Sequence, residues 1–362
     1  MLVLKKAPTK IIAPNYCLSS LFSEPEIGCI SWNRYENAGP VTHQGHIYIG
    51  GTDGKLHVIS QDTGLTQKRI ALPGKLRSQP TLAGDSLLLG TDQGYVVSLN
   101  THTWEQNWQQ KLDAELPNPL LVSGDQVYLV SGLATLYALH LDTGDISWEQ
   151  KRPFSAGLGL KALSNPLMMG DKLVVGNPSG KLEFRRLSDG DLLFDVAVGD
   201  PKKSFPNVAT DATLLPNHQI AVAGFNQGLA ILEASTGEIS WTLALPNITR
   251  LIATDKLLIA AGPKELTAID LNTQKITWRF SYLKGTPNRL IAKNSLLYFG
   301  SDQDALYVLD IHTGRPHQIL GSGLGFAGDF DFSSEHTLFA LSTAGYLYQY
   351  GRKNNSSCCG FN

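Results

Sequence analysis

The chain has 362 residues, of which 42% are hydrophobic and 17% charged, with a formal net charge of −2. Charge below the roughly 25% usual for globular domains, with no basic excess, argues against nucleic-acid binding through phosphates. No run of eighteen apolar residues exists, so nothing is expected to cross a membrane as a helix.

In chain order, residues 1–27 are expected to be a leader or linker. Lys5 and Lys6 suit the basic start of an export signal, but Ile11-Ile12-Ala13-Pro14 is too short for its apolar stretch, so no export signal is evident. Cys29-Ile30-Ser31-Trp32 follows as a short strand ahead of the first hairpin. From Gly45 a repeat sets in: a short apolar strand, a glycine-bearing turn and a second, alternating strand. The turn position recurs at Gly54, Gly94, Ala134, Gly180, Gly228, Glu265, Asp304 and Gly345, at intervals of 40, 40, 46, 48, 37, 39 and 41 residues. Eight units at a period near forty residues are the mark of a closed repeat array.

Each hairpin is followed by a second signature, Thr-Gly-x-x-x-Trp. It reads Thr143-Gly144 with Trp148 and Thr236-Gly237 with Trp241, and more weakly Thr273-Gln274 with Trp278. Elsewhere the aromatic position holds Lys68, Trp108, Phe194 and Gln318. Glycine supplies the permissive backbone for the turn, and the aromatic residue falls on the next, outermost strand. Pro40, Pro80, Pro119 and Pro166 open several units, where a strand start tolerates a missing N–H. Four short strands make a twisted blade with two apolar faces, so the blades must stack, and radial closure hides the edges of the stack. The pattern predicts an all-β, eight-bladed β-propeller of four-stranded antiparallel blades over residues 28–351. The last unit, around Asp331 to Tyr350, has only three strands before a tail at 352–362, so the N-terminal strand Cys29–Trp32 is expected to complete it.

Motifs for chemistry are few. Gly323-Leu-Gly325-Phe-Ala-Gly328 matches the dinucleotide fingerprint, yet an alternating strand follows it where that fold needs a helix, so it reads as an inter-blade loop. His43 and His46 flank a turn without partners at metal-ligand spacing. Asp53, Asp92 and Asp142 recur at turns and follow turn chemistry. No catalytic residue, cofactor or metal is expected. The two longest intervals bracket blade 4, and the first insertion carries Leu158-Gly-Leu160-Lys161. In an extended segment Leu158 and Leu160 project to one side, which serves a protein-docking point and a buried strand equally well.

The repeat resembles the quinoprotein-type propeller. Leu158-Gly-Leu160-Lys161 followed by Ser164-Asn-Pro166, in register after Trp148, resembles the BamB family, lipoproteins of the outer-membrane β-barrel assembly machinery. The resemblance implies a non-catalytic scaffold on the periplasmic face of the outer membrane, docking on the periplasmic domains of BamA and aiding insertion of β-barrel proteins. It further implies contact with unfolded outer-membrane clients, and a membrane tie only through a lipid anchor. It carries partner contacts onto Leu158, Leu160 and Lys161, the last replacing an Arg of the family pattern. A second family patch, Asp-Val-Asp, falls on Asn207-Val208-Ala209, where both acids are lost and Asn207 alone is kept as a contact. Cys17, before Leu-Ser-Ser-Leu-Phe-Ser-Glu, is the candidate lipidation site, although Pro14-Asn15-Tyr16 makes no lipobox. The alternatives are a quinoprotein-like, pyrroloquinoline-quinone-dependent oxidoreductase and a generic propeller scaffold. For the oxidoreductase, Cys358-Cys359 is vicinal but sits in a polar tail, away from where an axial cofactor would lie.

Overall fold

Alternating apolar runs of three to seven residues, punctuated by glycines free to take positive φ, leave the chain no regular option but short strands. The computed structural model describes residues 2–4, 9–10, 38–152, 164–198, 208, 210–224, 228–245, 247–282, 284–321, 325–326, 328–333 and 337–352. Among them are strands and turns and no helix. The strands form eight antiparallel sheets. Blade 1, for example, runs Val41–His43, His46–Gly50, Lys55–Ser60 and Thr66–Ala71 from the axis outward. The innermost strands of neighbouring blades touch around the axis, as Arg250–Ala253 does with Pro287–Lys293.

The hairpin turns take positive φ at Gly54, Gly94, Ala134, Gly180, Gly228 and Gly345. In blade 6 that role falls to Lys264 rather than Glu265, because Gly262 pairs directly with Glu265 and leaves a two-residue turn.

The core lies between blades. Phe299 and Tyr307 stack at 4.8 Å in blade 7, and Trp278 and Tyr282 of blade 6 join the same cluster. Fully burying each such side chain contributes about 1.5–3 kcal/mol.

An N-terminal strand closes the ring, but its residues differ from the expected ones. Leu2–Leu4 pairs with Tyr350 to Arg352, and Thr9–Lys10 with Tyr346 and Leu347. Both segments fall within 1–27, the stretch expected to be leader, while Cys29–Trp32 lies outside the described residues. The edge of Tyr346–Arg352 offers only backbone groups, which any extended segment satisfies, so sequence pattern does not choose its partner. On the inner side, the amide and hydroxyl of Thr42 in blade 1 both donate to Asp331 of blade 8 at 2.8 Å.

Candidate partner-docking site

The outer strand of blade 3, Ile146–Gln150, runs into a buried arginine. Arg152 Nε donates to the Ala134 carbonyl at 2.7 Å, and Nη1 donates to the Gly176 carbonyl of blade 4 at 3.2 Å. Nη1 also lies 3.6 Å from Glu183 Oε2. Glu183 is itself buried on Lys181–Arg186, the third strand of blade 4. Its Oε2 accepts from Arg185 Nε at 2.7 Å, and its Oε1 accepts from Asn177 Nδ2 at 2.8 Å. Arg185 Nη1 donates to the Gly190 carbonyl. Burial pulls the Arg152 guanidinium below its usual range; Glu183 pushes back and Arg185 adds to the pull.

At the register position of Glu183 the sibling blades carry His57, Val97, Tyr137, Ala230, Thr267, Tyr307 and Tyr348, and at that of Arg185 they carry Ile59, Leu99, Leu139, Leu232, Ile269, Leu309 and Tyr350. Blade 4 alone places a carboxylate and a guanidinium at these two positions, and with Arg152 they form an Arg–Glu–Arg group. Such a group specifies geometry more than it adds stability, since desolvation offsets most of the attraction.

The next described residue after Arg152, Ser164, returns to the same point. Gly176 N–H donates to Ser164 Oγ at 2.7 Å. Asn165 then ties to blade 5: its N–H and Nδ2 donate to the two oxygens of Asp211 at 2.6 and 2.9 Å. Val208, buried and bridged to Gly224, packs on Gly176 as well. A Cβ built on Gly176 would fall 2.7 Å from Val208 Cβ and 2.8 Å from Ser164 Oγ. Only glycine lets the three segments meet there.

Leu158, Leu160, Lys161, Asn207 and Cys17 lie outside the described residues. What the structure brings together is the footing of the two family patches: Arg152 and Ser164 flank 153–163, Val208 follows Asn207, and all three converge on Gly176. The Arg152–Glu183–Arg185 group was not anticipated. Its signal is present in the chain as charges at 183 and 185: the other units carry only apolar or aromatic residues at the second position and no carboxylate at the first.

Among the described residues, no group of three or more His, Cys, Asp or Glu side chains is placed to hold a metal ion. His43 and His46 pair across the two-residue turn Gln44-Gly45. His57 Nε2 lies 3.1 Å from Asp53 Oδ2. Burial works against ionisation of Asp53, but the His57 hydrogen bond and charge, with the Lys55 amide, hold its carboxyl below the usual range. The stretch around Gly323–Gly328 leads into the strand Phe330–Phe332 rather than a helix.

A family model described as outer membrane protein assembly factor BamB matches residues 52–280. An outer membrane protein assembly factor BamB of Yersinia pestis is 24% identical over 254 residues, 64% of this chain and 63% of the relative. One from Legionella pneumophila is 26% identical over 168 residues, 43% of this chain and 42% of the relative. The chain thus spans less than two thirds of the length of these curated relatives. The crystal structure of BamB from Moraxella catarrhalis superposes with a TM-score of 0.77 at 15% identity, over 97% of this chain and 99% of that one. At that identity the likeness is one of fold.

Proposed function

The chain belongs to the BamB family of outer membrane protein assembly factors, and on that premise we propose that it is a non-catalytic scaffold of the outer-membrane protein assembly complex. It docks on the periplasmic domains of BamA, at the periplasmic face of the outer membrane, and aids insertion of β-barrel proteins. The observation that carries this reading is the convergence on Gly176. The stretch holding Leu158, Leu160 and Lys161 is rooted at Arg152 and Ser164, and Asn207 adjoins Val208. Two patches distant in sequence thereby share one rigid base, which lowers the ordering cost of presenting them together. Two leucines and a cation suit a contact with an apolar centre and a polar rim. Lys161 keeps the charge of the family's Arg but presents a point charge rather than a fork. Cys17 is the proposed lipid attachment.

The test is retention on immobilised BamA periplasmic domains. Wild-type chain is expected to be retained, and Leu158→Ala combined with Lys161→Glu to lose retention at least tenfold with an unchanged thermal midpoint. Normal retention of the folded double variant sinks the interface.

A further inference from the structure

The axial channel opens into a cavity of about 990 Å³, at the upper end of the range for small-ligand pockets. Three guanidiniums line it: Arg77 of blade 2, Arg250 of blade 6 and Arg289 of blade 7. Among the described residues, no ion pair within 4 Å joins any of them to a carboxylate. The acids of the lining are engaged elsewhere. Asp211 accepts both donors of Asn165, and Asp331 accepts from Thr42. Asp329 is half-buried in the lining, and its desolvation raises its carboxyl above the usual range. Arg289 and Arg250 oppose that shift with their charge, and the Arg289 amide opposes it with a hydrogen bond.

The arginines, by contrast, are barely engaged. Arg289 Nη1 reaches across the axis to Gln79 Oε1 at 2.8 Å, between residues 210 apart in sequence. Arg250 Nη1 donates to the Thr249 carbonyl at 2.9 Å. A guanidinium carries five donors in a planar fork matched to carboxylate, so donor capacity in this channel is in large excess. The charges of Asp211 and Asp331 repel a dense polyanion, while the lining amide side chains, such as Gln44 and Gln61, offer oxygens that accept N–H groups. A ligand that offers one carboxylate together with amide donors meets both conditions.

We propose that the channel is a second binding site, taking a carboxylate-bearing peptide segment whose carboxylate is forked by Arg250 and Arg289 on adjacent blades. The site adjoins the Gly176 node, since Asn165 and Asp211 line it too, but its arginines lie outside that node and it does not depend on the BamA reading.

Fluorescence anisotropy of the full chain with labelled Gly/Ser peptides tests it. One peptide carries Asp side chains and an amidated end, a second carries Asn with a free C-terminal carboxylate, and a third carries Asn with an amidated end. One of the first two is expected to bind at least tenfold tighter than the third, and which one it is identifies the source of the carboxylate. Arg250→Gln and Arg289→Gln are each expected to weaken that binding at least fivefold with unchanged thermal midpoints. If Arg289→Gln does not fold, Arg289→Lys, which keeps the charge but removes the fork, replaces it. Leu158→Ala with Lys161→Glu should leave peptide binding unaltered. Equal affinity for all three peptides, or no effect of the arginine variants, overturns the proposal. So does displacement by an equimolar amount of inorganic phosphate, which would mark a free-anion site.

Discussion

A single repeated contact explains why the Thr-Gly and Trp positions travel together. The ring of Trp108 lies on Gly144 of the next blade, that of Trp148 on Gly190, and that of Trp278 on Gly314. The indole N–H groups donate to Leu141, Leu187 and Ile311 carbonyls at 2.8, 3.2 and 3.1 Å. Gly144 has φ of +77° and a Cβ there would fall 2.3 Å from Trp108 Cε3. Gly144→Ala should therefore cost about 2–4 kcal/mol, from left-handed backbone and overpacking together, measured by urea unfolding. Blade 1 carries Lys68 in place of the ring, and blade 2 answers by placing Trp104, with φ of 59°, where blades 1, 3, 4, 5 and 7 have glycine and blade 6 has Gln274. The turns themselves are capped by carboxylates. The Thr313 hydroxyl and amide, with the His312 amide, hold Asp310 below the usual carboxylate range. A depressed folded value stabilises above the ordinary carboxylate pKa, and that contribution is lost as pH falls through the lowered value. In blade 2 Asn100 makes the same turn without a charge. Asp310→Asn is thus expected to melt slightly below wild type at pH 7 and to lose less stability than wild type below about pH 4; equal acid sensitivity would remove Asp310 from the cause.

Among the elements, blade 4 departs most from the repeat. Its spacing was legible, because an insertion lengthens the interval between turns whatever it does. The Arg152–Glu183–Arg185 group was not, because a charge inside an alternating strand looks the same whether it faces solvent or a neighbouring blade. Glu183→Gln leaves two guanidiniums largely buried without a counter-charge, a change that costs about 3–5 kcal/mol. A drop of that size in urea unfolding, with retention on BamA periplasmic domains weakened at temperatures where the ring is still folded, is the expected outcome. An unaltered unfolding midpoint would mean that the group contributes nothing to the node.

For the whole molecule, the decisive event is closure. Seven blades are each complete within one stretch of chain, whereas the eighth borrows its outer strand from residues 2–4 and 9–10. Removing residues 1–10 uncovers the edge of Tyr346–Arg352, and exposed strand edges pair with one another. The truncated chain should melt earlier than the full chain and associate with rising concentration in analytical ultracentrifugation; a monomer with an unchanged midpoint would show that this strand is dispensable. The same ring geometry gathers Arg77, Arg250 and Arg289 on one axis from blades far apart in sequence.

The strand pattern, the turn positions, the number of blades and the antiparallel four-strand unit are all determined by the sequence alone. Each is written in residues no more than a few dozen apart, as alternation, as positive-φ turns, or as a period near forty. Three features were decided only by the tertiary structure: the meeting of Arg152, Ser164 and Val208 on Gly176, the charges facing the channel, and the segment that closes the ring. These join Arg152 to Gly176 across blades, Arg289 to Gln79 across 210 residues, and Leu2–Leu4 at one end of the chain to Tyr350 through Arg352 at the other. No local pattern records such pairs, because the backbone edges and guanidinium donors that form them have the same chemistry wherever they occur. Ring closure alone selects which of them meet.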